Sequence, residues 1–154
     1  MSESKISILY VDDEENNLNS FKATFRRDFD VTVAISGAEA IELIKQKDFE
    51  LIITDQRMPG MTGVEFLSSI IKDHPDPIRI LLTGYADIQA VIDAVNKGQI
   101  YQYVSKPWDE QQLRVIISNA FEIFSLRREN KELMKSLLRA NEQLEFLLRQ
   151  KLLS

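Results

Sequence analysis

The amino-acid sequence predicts an α/β fold organised around a parallel β-sheet. Short runs rich in Ile, Val, Leu and Tyr alternate five times with segments whose apolar residues recur at helical spacing. Two of the runs, at 51–53 and 80–82, are continuously apolar, as expected for strands that are covered on both faces. Strands that alternate with helices form parallel sheets with right-handed crossovers and helices on both faces.

The five apolar runs give the positions of the strands. They are residues 6–11, 31–34, 49–53, 78–82 and 101–104. Five strands suit a doubly wound sheet of the flavodoxin-like type, with strand order 2-1-3-4-5. In such a sheet, functional groups gather at the carboxyl ends of the strands, near the point where the strand order reverses.

The segments between the strands carry signals for helix starts. Residues 36–39 and 62–65 both match the capping box, in which a Ser or Thr is followed three residues later by Glu. Asp87 and Asp109 are candidate N-caps of the fourth and fifth helices. Residues 109–153 contain no proline or glycine, so we expect an extended C-terminal helix of about 65 Å at 1.5 Å per residue.

Composition narrows the classes of function. The chain of 154 residues is 44% hydrophobic and 28% charged, which is typical of a folded domain with an appendage. The absence of cysteine excludes disulfides, thiolate metal sites and cysteine nucleophiles. With no signal-peptide core and no apolar run of membrane-spanning length, we expect a cytoplasmic protein without membrane insertion. The net charge of −5 gives no support for direct nucleic-acid binding and is compatible with a divalent cation.

Polar residues stand at the carboxyl ends of four predicted strands. Asp12 and Asp13 directly follow the first strand, and Asp55 ends the third. Thr83 ends the fourth strand, and Lys106 lies just past the fifth. Because these ends meet at one edge of a parallel sheet, we expect three carboxylates, a hydroxyl and an ammonium group to lie together there.

This set of groups predicts a metal site and a nucleophile. Carboxylates that lie close together repel one another, so a divalent cation is the natural compensation, and oxygen-only ligands favour Mg²⁺. A carboxylate can act as the nucleophile in phosphoryl transfer and so form an acyl phosphate. Asp55 is the candidate nucleophile, Lys106 would neutralise charge, and Thr83 could donate a hydrogen bond to the transferred group.

Four sequence motifs carry a resemblance to a known family. They are Tyr-Val-Asp-Asp-Glu at 10–14, Asp-Gln-Arg-Met-Pro-Gly-Met-Thr-Gly at 55–63, Leu-Thr-Gly-Tyr at 82–85 and Tyr-Val-Ser-Lys-Pro at 103–107. Together, and in this order, they resemble the response-regulator receiver family of bacterial two-component systems over roughly the first 120 residues. The resemblance implies a phosphoprotein that accepts a phosphoryl group on Asp55 from a sensor histidine kinase or phosphotransfer protein, with Mg²⁺ as cofactor.

The resemblance also implies roles for the metal-binding residues. Asp13 would be the more direct Mg²⁺ ligand, and Asp12 would act partly through water. Asp55 and the backbone carbonyl of Arg57 would complete the protein's ligands. By their positions in the sequence, Arg57 and Tyr85 flank the pocket.

The resemblance further implies a switch. Lys106 would form a salt bridge to the phosphoryl group, and the bond between Lys106 and Pro107 would be cis. Thr83 would turn toward a phosphoryl oxygen, and the Tyr103 ring would move inward into the vacated space. Such a switch requires only two arrangements a few kcal/mol apart.

The predicted C-terminal helix is longer than the last helix of a receiver domain needs to be. We therefore divide the chain into a receiver domain at 1–124 and a helical coiled-coil extension at 125–154. The residues at its two heptad core positions are Ile116, Ile123, Asn130, Leu137, Leu144 and Lys151, then Asn119, Leu126, Leu133, Ala140 and Leu147. A single buried Asn can fix the register of a parallel pair of helices. We expect a homodimer through this helix; a solvated helix folded back on the domain is the alternative.

The output is not encoded in these residues. Residues 100–109 resemble receivers fused through coiled coils to signalling enzymes, such as HD-GYP phosphodiesterases, serine phosphatases, nucleotide cyclases and histidine kinases. We expect the chain not to be an enzyme on other substrates, but the regulatory part of a longer signalling protein; a stand-alone receiver with a dimerising arm is the alternative.

Three other functions remain open at this point. A flavin-binding module is disfavoured because acidic residues 12–14 would repel phosphate. A phosphatase with an aspartyl nucleophile usually needs a second acid two residues on, where this chain has Arg57. A receiver-like scaffold that is never phosphorylated is disfavoured because the chemical positions are all retained.

Overall fold

The computed structural model describes residues 5–84 and 88–153. Five strands and five helices alternate along the chain. They are β1 (Ile6–Val11), α1 (Glu15–Phe25), β2 (Phe29–Ala34), α2 (Gly37–Gln46), β3 (Leu51–Asp55), α3 (Gly63–Ile70), β4 (Ile78–Thr83), α4 (Ile88–Asn96), β5 (Gln102–Ser105) and α5 (Glu110–Leu153).

The strands form a single parallel sheet with the order β2-β1-β3-β4-β5. This confirms the predicted flavodoxin-like, doubly wound arrangement. The second strand begins at Phe29, two residues earlier than predicted, because exposed Asp30 breaks the apolar run without ending the strand. The third strand begins at Leu51 and not at the predicted residue 49. Phe49 lies before the strand, and it is apolar because its side chain is buried in the core.

Two hydrophobic clusters cover the faces of the sheet. On one face, α1 and α5 pack against alternate residues of the strands, with Phe21, Phe25 and Leu113 among the buried contacts. On the other face, α2, α3 and α4 pack against the remaining strand residues. The central strands β3 and β4 are buried along their whole length, which explains why their sequences do not alternate.

Helix starts follow the sequence signals. Thr62 and Glu65 form the complete predicted capping box of α3. Ser36 accepts a hydrogen bond from the Glu39 N–H at 3.1 Å, which is one half of the box predicted for α2. Asp109 caps α5 by accepting from the Gln112 N–H at 2.9 Å. The predicted cap Asp87 and the predicted pocket residue Tyr85 lie outside the described residues.

Helix α5 runs for 44 residues, as the lack of glycine and proline predicted. Its buried residues end at Phe124, and every residue from 126 to 153 is exposed, so the helix leaves the body and does not fold back on it. Lys131 forms an ion pair with Asp76 of the body at 2.9 Å where the helix leaves it. In the part of the chain that is described, no helix is long and apolar enough to cross a membrane.

Candidate functional site

The carboxyl edge of the sheet brings three acidic residues together. Asp12 and Asp13 follow β1, and Asp55 is the last residue of the adjacent strand β3. One carboxylate oxygen from each residue lies within 4.8 Å of the other two. Asp12 and Asp55 are buried, with Asp55 only 4% exposed, whereas Asp13 is half-buried.

Lys106 reaches this cluster from the end of β5. Its Nζ forms an ion pair with Oδ1 of Asp55, and this buried oxygen has no other hydrogen-bond partner among the described residues. The Lys106 backbone N–H donates to the Thr83 carbonyl at 2.9 Å, and the bond to Pro107 is cis, as expected. The ion pair places the ammonium group of Lys106 beside the last residue of β3.

The electrostatics of Asp55 follow from this position. Burial raises the pKa of the Asp55 carboxyl, and Lys106 opposes the rise through its hydrogen bond and its charge. The nearby charges of Asp12 and Asp13 raise the pKa further. A cation or a second positive group beside Asp55 would therefore stabilise its ionised form.

Asp12 is held by three hydrogen bonds. Oδ1 accepts from the Glu14 N–H at 3.0 Å. Oδ2 accepts from the Tyr10 hydroxyl at 2.9 Å and from Asn17 Nδ2 at 3.1 Å. Tyr10 and Asn17 were not predicted to have a role, although Tyr10 stands two residues before Asp12, the spacing that puts side chains on the same face of a strand.

The predicted switch pair is placed with Thr83 inside and Tyr103 at the surface. Thr83 is buried, and its hydroxyl donates to the Gly84 carbonyl at 2.9 Å. Tyr103 lies beside Leu81 on the edge strand β5, and 38% of it is exposed. The Tyr103 ring is therefore half outside the body in this arrangement.

The loop after Asp55 is fixed by residues around the start of α3. Gln56, for which no role was predicted, is buried, and its side-chain oxygen accepts a hydrogen bond from the Val64 N–H at 2.9 Å. Gly63 is required by close packing, because a Cβ there would lie 2.4 Å from the Asp55 carbonyl oxygen. The Arg57 side chain is exposed in this loop.

The donor set fits a hard divalent cation. Three carboxylates converge, and no softer ligand takes part in this cluster, which is the ligand chemistry that Mg²⁺ prefers. Two of the three groups are buried, so their mutual repulsion is poorly screened by water. The residues present are therefore suited to Mg²⁺ and not to a soft transition metal.

A doubly wound sheet with an acidic pocket and a lysine at its carboxyl edge defines the class of receiver-like signalling domains. The chain belongs to the response regulator receiver domain family, whose model matches residues 8–118. The family match thus covers β2 to β5 in full, β1 from Ile8 onward, and all the residues of the acidic pocket.

Relatives place the chain among signalling proteins. It is 37% identical over 127 residues to the hydrogenase transcriptional regulatory protein HoxA of Cupriavidus necator, a match that covers 82% of this chain and 26% of that protein. The chain spans about a quarter to a third of the length of the curated relatives it matches.

Solved structures agree with the fold. A structure described as adenylate cyclase from Rhodopirellula baltica superposes with a TM-score of 0.82 at 35% identity, covering 85% of this chain and 98% of that one. The signal receiver domain of an HD domain-containing protein from Pseudomonas fluorescens Pf-5 superposes with a TM-score of 0.77 at 32% identity, covering 84% and 96%.

Proposed function

We propose that this receiver domain accepts a phosphoryl group on Asp55 from a sensor histidine kinase or phosphotransfer protein, in a Mg²⁺-dependent reaction. The observation that carries the proposal is the convergence of Asp12, Asp13 and Asp55 within 4.8 Å, with the Lys106 ammonium on Asp55. Asp55 is at the centre of the charges and is the acid to which Lys106 is paired.

In the proposed transfer, a carboxylate oxygen of Asp55 forms a bond to phosphorus while the P–N bond of a phosphohistidine breaks. The electron pair of that bond stays on the imidazole nitrogen, which then takes a proton from water. Lys106 is paired with the Asp55 carboxylate before the transfer and would pair with a phosphoryl oxygen afterwards. A positive charge is therefore already in place for the negative charge of the phosphoryl group.

Asp12, Asp13, Asp55 and the backbone carbonyl of Arg57 are the proposed ligands of Mg²⁺. When bound, the ion supplies positive charge that offsets repulsion between the carboxylates and the incoming phosphoryl group. The hydrogen bonds to Asp12 fix one of these ligands before any cation arrives.

Thr83 and Tyr103 form the proposed switch. Phosphorylation creates acceptor oxygens near the end of β4, and Thr83 can serve them only by giving up its bond to the Gly84 carbonyl. The Tyr103 ring then has space to turn inward from its half-exposed position. The change would pass through β5 to α5, the helix that leaves the body.

A direct experiment tests phosphoryl acceptance. The full chain is incubated with acetyl phosphate or phosphoramidate and Mg²⁺, and intact mass is measured. Wild type should gain one phosphoryl group, and Asp55→Asn should gain none. Asp48→Asn is the matched control and should label like wild type. Asp48 lies in the loop before β3, at the amino-terminal end of the strand and away from Asp55. Equal labelling of Asp55→Asn would remove Asp55 from its role.

The extension at 125–154 is proposed to join two copies, with residues 1–124 as the receiver. Its heptad leucines project into solvent, and the exposed fractions of Leu126, Leu133, Leu137, Leu144 and Leu147 are 55%, 61%, 56%, 61% and 62%. Leaving such a continuous apolar stripe in water is unfavourable, and a second copy presents an identical stripe. Asn130 stands within the stripe and would pair with its counterpart in a parallel dimer.

The chain is proposed to be the regulatory part of a longer cytoplasmic signalling protein, with no catalysis beyond its own phosphorylation and dephosphorylation. Its match to only a quarter to a third of the curated relatives supports a modular role. The relatives differ in their described activities, since one is a transcriptional regulator and a structural neighbour is an adenylate cyclase.

A further inference from the structure

Tyr10 joins the hydrophobic core to the acidic pocket. Its side chain lies in the hydrophobic core that α1 and α5 form with the sheet, and the residue is 1% exposed. Its hydroxyl nevertheless emerges at the edge of this core and donates to Oδ2 of Asp12 at 2.9 Å. The phenol thus connects the apolar interior directly to a proposed metal ligand.

The hydrogen bonds of Asp12 are distributed unevenly over its two oxygens. Oδ2 accepts two, from Tyr10 and from Asn17, whereas Oδ1 accepts one from the Glu14 backbone. A carboxylate oxygen has about two acceptor sites. Oδ2 is therefore fully engaged by the protein, and Oδ1 keeps one site for a ligand or its water.

We propose that Tyr10 is a positioning residue for the Mg²⁺ site: its hydroxyl holds Oδ2 of Asp12 and so presents Oδ1 to the cation. The proposal rests on the proposed metal site and deepens it. Groups that hydrogen-bond to metal ligands commonly change metal affinity by about 10-fold to 100-fold.

The ring of Tyr10 is itself fixed. It stacks on Phe21 with ring centroids 4.1 Å apart and an angle of 4° between the planes. Phe21 in turn contacts Phe25 and Trp108, at centroid distances of 4.8 Å and 6.1 Å. A ring held in this way cannot swing away from Asp12, so its hydroxyl acts as a fixed donor and not as an adaptable one.

The ring and the hydroxyl have separable tasks. A phenylalanine at this position would fill the same space and stack on Phe21 equally well. Only the donation to Asp12 would be lost, which makes Tyr10→Phe a substitution with little risk to folding. Tyr101→Phe removes the same hydroxyl from a residue that is 37% exposed and is the matched control.

The test measures how the midpoint of thermal unfolding depends on Mg²⁺ concentration, at constant ionic strength. A ligand that binds only the folded state raises this midpoint according to its Kd. The fitted Kd for Mg²⁺ should be about 10-fold weaker in Tyr10→Phe than in wild type. Tyr101→Phe should keep the wild-type Kd.

The outcomes separate the two proposals. A wild-type midpoint that does not respond to Mg²⁺ would overturn the metal site itself. A wild-type response that Tyr10→Phe retains unchanged would overturn only the positioning role. A Tyr10→Phe midpoint lowered equally with and without Mg²⁺ would show that the hydroxyl serves folding alone, and would likewise overturn the positioning role.

Discussion

The Thr83 hydroxyl donates its hydrogen bond to the carbonyl of the next residue, Gly84, at 2.9 Å. The acceptor of this hydrogen bond is therefore the neighbouring residue in the chain. To serve a phosphoryl group the hydroxyl must exchange one acceptor for another, and an anionic acceptor forms the stronger bond. The bond to Gly84 therefore marks the unmodified arrangement of the proposed switch.

Thr83→Ala should uncouple phosphorylation from the switch. Because Asp55 and Lys106 are untouched, the variant should still gain a phosphoryl group, although it lacks one hydrogen-bond donor to that group. The Tyr103 ring should then fail to move inward. Fluorine magnetic resonance of fluorotyrosine-labelled protein, with Tyr103→Phe to identify the signal, measures the movement. Thr83→Ser keeps the hydroxyl and should retain it; an unchanged response in Thr83→Ala would contradict the switch.

Asp55→Asn should stabilise the metal-free domain near neutral pH. The folded-state pKa of Asp55 is raised, chiefly by burial, so the folded protein binds more protons than the unfolded chain as pH rises above 3.8. The free energy of unfolding that depends on the Asp55 carboxyl therefore decreases as the pH rises from 3.8 through the folded-state pKa, and it stays at the lower level at higher pH. The asparagine variant should lack this loss.

Urea unfolding at a series of pH values, with a chelator present, checks the asparagine prediction. The advantage of Asp55→Asn over wild type should be largest near pH 7 and should shrink in acid. Asp48→Asn, which lies at the amino-terminal end of β3, should show no such trend. An advantage for Asp55→Asn that grew as the pH fell would contradict the sign.

Gly63→Ala should destabilise the fold and shift the loop that holds Asp55. The added Cβ would lie 2.4 Å from the Asp55 carbonyl oxygen and 2.7 Å from Leu81 Cδ1, so backbone has to move. Overpacking of this kind costs about 1–3 kcal/mol in the free energy of unfolding. Denaturant unfolding measures the cost.

Gly37→Ala is the matched control for this glycine. The nearest atom to its added Cβ is the Met61 sulfur at 2.8 Å, the far part of a flexible side chain. Because methionine adapts readily, the cost there should stay below about 1 kcal/mol. Equal losses in the two variants would show that backbone crowding beside Asp55 is not what requires glycine at 63.

Leu137→Lys should dissociate the proposed dimer. The residue lies in the middle of the heptad stripe, where a parallel pair would bury two ammonium groups against each other. Sedimentation equilibrium should give the dimer mass for the full chain and the monomer mass for this variant and for residues 1–125. Leu153→Lys, outside the stripe and 84% exposed, should remain a dimer. A full chain of monomer mass would reject the assembly.

The sheet could be predicted from the sequence because burial on both faces leaves a direct signature in the apolar runs. The limits of β2 could not, since Asp30 points to solvent within an edge strand and resembles a loop residue. The long helix was predictable for a simpler reason: nothing in residues 110–153 interrupts it.

The acidic pocket was predictable from strand ends, since parallel strands deliver their carboxyl ends to one edge. The groups that hold it were not. Asn17 bonds to Asp12 across the turn between β1 and α1, and Gln56 bonds to Val64 across the loop between β3 and α3; neither loop conformation follows from a regular sequence repeat. Tyr10 is a partial exception, because a tyrosine two residues before an aspartate on one strand could have been expected to share its face.

The part of α5 after Phe124 is not buried against the body and extends from it as an exposed arm. Beyond that residue the helix continues for another 29 positions without a break, roughly 44 Å at 1.5 Å per residue. A tilt of about 5° at its base would carry the far tip through roughly 4 Å, by the same rise per residue. If phosphorylation moves the first turns of α5 as proposed, the displacement would increase with distance along the helix.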